Sequence, residues 1–244
     1  MIAAAIVAAF ITIAFPASVA AQSDLMNSLK GALGKVTGSG EAGTLATDKI
    51  VAGLREALKV GTRRVVDQVG AENGFNADPA IHIPLPPDLA KVQDLLRKFG
   101  LSSLADEVEL KLNRAAEAAA PKTRELLVKA VTDMTIDDAR RIHAGPEDAA
   151  TQYFRRVASD DLRSVIRPVV DDTLAQVGAV DAYDRLMGRW AALPLVPDVK
   201  ADLSGHATEK TMEGIFHYLA KEEAAIRRDP AKRTTELLRT VFGG

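Results

Sequence analysis

Apolar residues recur at helical spacing along almost all of the chain after residue 22, and this pattern limits the possible folds more than any other feature. One segment shows it clearly, with apolar residues on one helix face at Ile50, Leu54, Leu58, Val65 and Val69. The distances between successive helix caps vary, and no fixed-period repeat is present. The sequence therefore predicts an all-α protein, a compact irregular multi-helix bundle.

Capping residues, glycines and prolines predict where the helices begin and end. Thr47 is a candidate cap for a helix that ends at Gly70, and Ser103 and Thr135 begin capping patterns. Ser159 is a candidate cap for a separate helix, which Pro168 should kink or split. Further helices are predicted over residues 89–99, 104–119, 121–134, 180–193 and 204–228, with a short last one near 237–242.

Residues 71–88 break the helical pattern. Asn73-Gly74 and Asp78-Pro79 are turn signals, and three prolines between residues 84 and 87 exclude a regular helix. The segment between residues 81 and 83 alternates as a short extended piece does. A loop that lies over the helices is the structure this segment predicts.

The first 21 residues carry no charged side chain and end in small residues. An apolar block, the helix-breaking Pro16 and a small-x-small pattern at residues 18–21 are typical of a cleaved signal peptide. The predicted organisation is therefore a signal peptide (1–21), a short amphipathic helix with a Gly/Ser-rich linker (22–44) and a single all-α domain (45–244). This predicts a periplasmic or secreted protein, and no segment after residue 22 is apolar enough to span a membrane.

Charge and cysteine content exclude several classes of function. The formal net charge is −2, which argues against nucleic acid as a partner, because such binders neutralise phosphates with clustered Lys and Arg. The chain has no cysteine and therefore no disulfide, thiol nucleophile or thiolate metal site. No cofactor is predicted, and no serine lies in a nucleophile-elbow motif.

One set of residues has the spacing of metal ligands. Glu209, Glu213 and His217 lie at i, i+4 and i+8 on one helix face, with His206 just before them. If a neighbouring helix completed the coordination shell, this face would support a metal-dependent hydrolase. A solvated helix face offers the same residue types, so the metal site is the alternative hypothesis.

Two polar clusters interrupt alanine-rich helices. The first contains Asn113, Arg114 and Glu117, and the second contains Gln152, Tyr153, Arg155 and Arg156. Their spacing is also that of intrahelical pairs, which would explain them without a ligand. If the helices enclose a pocket, we expect these residues to line it together with Arg227 and either Glu222 or Glu223, because guanidinium groups match carboxylates and phosphates.

Several of these runs together resemble the bacterial domain of unknown function 4197 family. The runs are Ile81-His82-Ile83-Pro84-Leu85-Pro86, Leu112-Asn113-Arg114-Ala115-Ala116-Glu117, residues 149–155 and Glu222-Glu223-Ala224-Ala225-Ile226-Arg227. The resemblance covers nearly all of the chain after the linker. It implies an exported helical domain and no activity, cofactor or site residue that could be transferred.

The expected function is therefore that of an exported binding or interaction protein of the cell envelope, with a small ligand or an envelope protein as its partner. A metal-dependent hydrolase using Glu209, Glu213 and His217 is one alternative. The other is a structural tether, in which residues 23–44 hold the protein to a partner or to a membrane surface.

Overall fold

The computed structural model describes residues 41–191 and 202–228, with side chains from residue 49 onward. The chain divides into two units, residues 1–47 and 48–244, and the described side chains all belong to the second unit. The predicted signal peptide, most of the segment 22–44 and the predicted last helix near residues 237–242 lie outside the described residues.

All regular secondary structure in the described ranges is helical, which confirms the all-α prediction. The α-helices are α1 (Glu41–Val69), α2 (Pro87–Lys98), α3 (Ser103–Ala119), α4 (Arg124–Thr132), α5 (Ile136–Ala144), α6 (Ala149–Gln176), α7 (Ala179–Ala191) and α8 (Leu203–Arg228). A short 3-10 helix, Ala120–Thr123, joins α3 to α4. Of the helices in these ranges, none combines the length and the apolar character that crossing a membrane requires.

Helix α3 lies at the centre of the bundle and packs against α2, α6, α7 and α8. Small side chains on α3, such as Ala105, Ala115 and Ala116, are fully buried. Because they occupy little volume, they let neighbouring helices approach closely. The most extensive helix pair is α6 with α8, whose buried Phe154 and Phe216 belong to the main hydrophobic core.

Two predicted helix ends are confirmed in atomic detail. At the start of α5, the Asp138 backbone N–H donates to Thr135 Oγ1 at 3.0 Å, and the Thr135 N–H donates to Asp138 Oδ2 at 3.3 Å. This is the predicted capping box. After α2, Gly100 adopts a φ of 71°, a left-handed conformation that glycine accepts without a steric penalty.

Two predicted helix starts are wrong. Helix α1 begins at Glu41, so Thr47 lies inside the helix and is not its cap. Residues 41–47 include good helix formers, such as Ala42 and Leu45, which favour extending the helix towards the N-terminus. Helix α3 begins at Ser103 itself, and the flanking residue is Ser102.

The predicted division of α6 is also wrong. Ser159 lies within a continuous helix, where its hydroxyl donates to the Arg155 carbonyl oxygen at 2.6 Å. A serine side chain satisfied in this way needs no helix end. Pro168 lies inside the same helix and does not split it.

The segment between α1 and α2, residues 70–86, confirms the predicted irregular loop, and it packs on the helices. Its predicted end at residue 88 is wrong, because α2 begins at Pro87, and the first position of a helix accepts a proline. Four apolar side chains of this segment are buried, those of Phe75, Ile81, Ile83 and Leu85. Asn73 has a φ of 67°, a left-handed conformation in which asparagine is enriched. We call this segment the proline loop.

Candidate functional site

A half-open cleft of about 530 Å³ lies between the proline loop, the start of α6 and the middle of α8. Helix α6 and the residue before it contribute Asp148, Thr151 and Arg155, which are spaced i, i+3 and i+7 and therefore lie on one side. Helix α8 contributes a face that includes Lys210, Glu213, Gly214, Phe216 and His217. The loop closes the cleft with Ala80, Ile81, His82 and Pro84. We call it the Arg155 cleft.

Gly214 allows the proline loop to lie directly on α8. A Cβ atom at this position would be 2.6 Å from Cε1 of Phe75 and 3.3 Å from Cβ of Ile81. The first distance is far shorter than a van der Waals contact, so any larger residue would push the loop away. The shape of the cleft wall therefore depends on a glycine here.

Arg155 is the most distinctive group in the cleft. Its guanidinium carbon lies 4.5 Å from the centroid of the Phe216 ring, a cation–π contact that holds the side chain across the cleft. Among the residues that the structure describes, no carboxylate forms an ion pair with it. Its N–H donors therefore have no charged acceptor in the described part of the chain.

The other charged groups of the cleft have partners. Lys210 Nζ lies 2.6 Å from Glu213 Oε2 on the same helix, and Asp148 Oδ1 accepts a hydrogen bond from Gln152 Nε2 at 2.9 Å. His217 meets Tyr218 edge-on, with 5.2 Å between the ring centroids. The cleft is therefore polar, and of the described arginine and lysine residues that line it, Arg155 is the one without a carboxylate partner.

The first predicted cluster has a different role, because it braces the proline loop. Asn113 is fully buried, and its side chain accepts a hydrogen bond from the Ile83 N–H at 2.9 Å and donates one to the Ile83 carbonyl oxygen at 2.8 Å. Glu117 Oε1 accepts from the backbone N–H groups of Phe75 and Asn76, at 3.1 and 3.0 Å. We call Asn113, Arg114 and Glu117 the brace cluster.

Arg114 completes the brace cluster. One guanidinium nitrogen lies 2.6 Å from Glu117 Oε2, and another lies 3.0 Å from Asn73 Oδ1 and 3.4 Å from Glu72 Oε1. The donors of this arginine are thus directed at groups of the protein itself. The whole cluster is engaged in fixing the loop.

The second predicted cluster is divided between two faces of α6. Arg155 lines the cleft, whereas Gln152 and Tyr153 border a separate cavity of about 150 Å³ together with Arg156. The Tyr153 hydroxyl donates to the Ala130 carbonyl oxygen at 3.1 Å, and burial raises the pKa of this phenol. Of these ligand-binding candidates, the structure places Arg155 alone in the larger cleft.

The candidates near the end of α8 anchor helices. Glu222 pairs with Arg64 of α1 at 2.9 Å. Its neighbour Glu223 is buried and accepts the N–H groups of Ala150 and Thr151 at 2.9 and 3.0 Å, which satisfies the first turn of α6. Arg227 lies 3.0 Å from Glu223 and donates to the Ile142 carbonyl oxygen at 2.7 Å.

Burial raises the pKa of Glu223, although the hydrogen bonds from Ala150, Thr151 and Arg227 act in the opposite direction. A carboxyl group already occupies this helix N-terminus, which is often a site for anions. An anion that enters the cleft therefore meets Arg155 and not the backbone N–H groups of Ala150 and Thr151.

The three candidate metal ligands do not come together. Glu209 pairs with Arg163 at 2.5 Å, which lowers the pKa of Glu209, and Glu213 pairs with Lys210. Within residues 41–191 and 202–228, no group of three or more histidines and carboxylates is arranged to hold a metal ion. His206 donates from Nε2 to the Pro84 carbonyl oxygen at 2.8 Å and so fixes the loop instead.

Sequence reasoning missed two features of the cleft. One is His82, a polar residue between the buried Ile81 and Ile83, and that alternation is the signal that could have identified it. The other is Lys210, which resembles any residue on a solvated helix face. Only the packing of the loop against α8 brings both to the same cavity.

A comparison with protein-family models found one match, which spans residues 44–243 and is described as "Protein of unknown function (DUF4197)". Comparisons with curated proteins and with solved structures found no match. The matched residues include the proline loop, the brace cluster and the whole of the Arg155 cleft. The chain belongs to the DUF4197 family of proteins of unknown function.

Proposed function

We propose that the protein binds a small ligand with a carboxylate or phosphate group in the Arg155 cleft. The observation that carries this proposal is the exposed guanidinium of Arg155, which lies on the Phe216 ring, lines a cleft of about 530 Å³ and pairs with no carboxylate of the described residues. The volume falls within the usual range of small-molecule sites, which is roughly 300–1,000 Å³.

The chemistry of Arg155 specifies the anionic group. A guanidinium is planar and permanently charged, and its paired N–H donors match the two oxygens of a carboxylate or phosphate. The contact with Phe216 reduces the freedom of the side chain before any ligand arrives. Binding therefore costs less conformational entropy than it would with a freely moving arginine.

The surrounding groups favour a small polar ligand. Asp148, Lys210, Glu213 and His217 surround Arg155 with hydrogen-bonding groups, and the cleft wall also includes apolar carbon from Ile81, Pro84 and Ala220. These groups suit a molecule with one anionic end and further polar substituents. We extend the proposal to the compartment: this binding takes place in the periplasm or outside the cell, after removal of residues 1–21.

Titration calorimetry with succinate and inorganic phosphate, each a separate probe, tests this proposal. We expect Arg155→Gln to weaken binding of the better probe by at least about tenfold, because a hydrogen bond to a charged group contributes about 1.5–3 kcal/mol. Arg156→Gln is the matched control, since the neighbouring Arg156 stacks on Tyr153 beside the other cavity. Equal binding by the wild type and Arg155→Gln, or no binding of either probe, would contradict the proposal.

A further inference from the structure

We propose that His82 and Glu109 form a proton-dependent positioning pair: while the pair holds an extra proton, it adds to the contacts that fix the loop wall of the Arg155 cleft. The effect on ligand binding rests on the function proposed above. The pair itself is defined by its own contacts, and it can be tested without any ligand.

Both ring nitrogens of His82 contact hydrogen-bond acceptors. Nδ1 lies 2.9 Å from the backbone carbonyl oxygen of Asn76, and Nε2 lies 2.6 Å from Oε1 of Glu109 on α3. The side chains of His82 and Glu109 are 29% and 21% exposed, so water replaces these contacts only in part.

Counting hydrogens shows why this arrangement needs a proton. A carbonyl oxygen and a carboxylate only accept, so each of the two contacts requires its own hydrogen. A neutral imidazole carries one N–H, and the imidazolium ion carries two. When the pair loses its extra proton, one of the two short contacts places a nitrogen lone pair against an oxygen lone pair.

The neighbours of Glu109 keep its carboxylate directed at His82. Gln93 of α2 donates from Nε2 to Glu109 Oε2 at 2.9 Å and to Asp106 Oδ1 at 2.8 Å. Both hydrogens of this amide are therefore used, and Glu109 has little freedom to turn away once the proton is lost.

Loss of the proton lowers the affinity of the cleft for an anion in two ways. His82 lies between Ile81 and Pro84, which form part of the cleft wall, so releasing its ring leaves this wall fixed by fewer contacts, those from Asn113 on α3 and His206 on α8. Deprotonation also removes a positive charge from the side of the cleft that faces an anion. We therefore expect anion affinity to fall as the pH rises.

Other ionisable groups surround the pair. Asp106 of α3 lies behind Gln93, and Asp78 of the loop accepts a hydrogen bond from the Tyr218 hydroxyl. Across the cleft lie Arg155 and Asp148 of α6 and Lys210, Glu213 and His217 of α8. His217 is the other histidine among the described residues that line the cleft. The experiments therefore use the His217→Gln protein, called the parent protein below, and introduce Glu109→Gln into it.

Glu109→Gln is the decisive variant, because it supplies the missing hydrogen without a proton from solvent. The new amide nitrogen can donate to Nε2 of a neutral His82, while its oxygen still accepts from Gln93. Every contact of the network is then satisfied by neutral groups. The variant should therefore keep the loop fixed and lose the pH dependence.

Amide hydrogen exchange without ligand measures the effect. We expect the protection factor of the Ile83 amide in the parent protein to fall as the pH rises through the range in which the pair loses its proton, with a slope of at most about tenfold per pH unit, the limit for release of one proton. In Glu109→Gln the protection factor should stay constant. A constant protection factor in the parent, or an equal slope in Glu109→Gln, would overturn the proposal.

A second measurement does not depend on the variant folding. Nitrogen-15 NMR of the wild-type His82 ring reports how many of its nitrogens carry hydrogen, and we expect two in the acidic part of the same range, with one lost as the loop amides lose protection. If one ring nitrogen stays bare while the loop amides remain protected, the pair is not proton-dependent.

Binding of inorganic phosphate separates this inference from the function on which it rests. If phosphate binds through Arg155 and its affinity falls with pH equally in the parent and in Glu109→Gln, the positioning pair is refuted and the binding function stands. If phosphate does not bind but the exchange result is as expected, the pair stands and the phosphate-binding form of the proposed function fails.

Discussion

The brace cluster and the Arg155 cleft contain similar residues but use them in opposite ways. Arg114 and Arg155 both lie on alanine-rich helices beside polar neighbours. Arg114 finds Glu117 at 2.6 Å and Asn73 at 3.0 Å, whereas Arg155 rests on the Phe216 ring. The difference shows that an arginine becomes a candidate for binding a ligand when the fold positions its side chain without pairing it with a carboxylate.

The same comparison explains why the proline loop is a fixed wall and not an opening lid. Asn113 and Glu117 hold its backbone from α3, and Tyr218 and His206 hold it from α8. The hydrogen bonds of the brace cluster therefore help to set the shape of the Arg155 cleft.

Removing the brace should have the largest effect. Asn113→Ala leaves the buried N–H and carbonyl groups of Ile83 without their partner, and we expect a loss of about 3 kcal/mol in the free energy of unfolding. Urea denaturation measures this loss. Gln152→Ala is the control and should cost under about 0.5 kcal/mol, because Gln152 is exposed and pairs with Asp148. Equal losses would show that the loop does not depend on Asn113.

Removing each arginine compares the two regions directly. Arg114→Ala leaves Glu117, whose side chain is 6% exposed, without its cationic partner, and we expect a loss of about 2 kcal/mol in stability. Arg155→Ala removes an exposed cation–π contact, for which we expect about 0.5 kcal/mol. A loss as large for Arg155 as for Arg114, measured in the same denaturation series, would mean that Arg155 has a structural role.

Filling the space at Gly214 tests the contact between the loop and α8. We expect Gly214→Ala to destabilise the protein by about 1.5 kcal/mol, because the added methyl group overlaps Phe75. Gly188→Ala on α7 is the matched control. A Cβ there meets no atom within 4 Å, so alanine should raise stability by about 0.5 kcal/mol or more. Thermal unfolding of both variants gives the comparison, and a neutral Gly214→Ala would contradict the close approach.

The smallest expected effect concerns Asp138. Its carboxylate lies 3.7 Å from Arg156, so Arg156 has a carboxylate partner, whereas Arg155 has none among the described residues. Hydrogen bonds from Thr135 and Arg141 hold the pKa of Asp138 below its ordinary value. The stabilisation of the folded protein by the Asp138 carboxylate is therefore present above the ordinary aspartate pKa of about 3.9 and is lost as the pH falls below that value.

We expect Asp138→Asn to cost about 1 kcal/mol in the free energy of unfolding at about pH 7, and the difference from the wild type to shrink towards about pH 3. Asp137→Asn is the control, because Asp137 is exposed and its ion pair with Arg140 is long, at 3.8 Å. A deficit for Asp138→Asn that does not change with pH would show that the charge of Asp138 is not what stabilises α5.

Most of the fold could be predicted because helices leave local signals. The spacing of apolar residues identified the helices, and the Thr135–Asp138 capping box and the Gly100 stop gave two boundaries. The prediction failed where one residue type has two local solutions. Ser159 can begin a helix or bond to the carbonyl oxygen four residues earlier, and the sequence does not say which.

The candidate site was less predictable, because its selection depends on contacts between distant segments. The partners of Asn113 and Glu117 are backbone groups of the proline loop, and backbone groups carry no sequence signal. Arg155 and Gln152 are three residues apart in sequence but border different cavities, which follows from the packing of α6 against α8. The sequence identified the residue types, and the packing of the helices determines which of them line the cleft and which contact other parts of the protein.

The central claim is that Arg155 holds an anionic small molecule, and native mass spectrometry tests it most directly. The wild type and the Arg155→Gln and Arg156→Gln variants are expressed with their own first 21 residues in a bacterial host and purified without added anions. Each protein is weighed under native and then denaturing conditions. We predict a non-covalent extra mass, of a molecule with a carboxylate or phosphate group, on the wild type and Arg156→Gln but not on Arg155→Gln. A bare wild-type protein, or the same extra mass on Arg155→Gln, would contradict the claim.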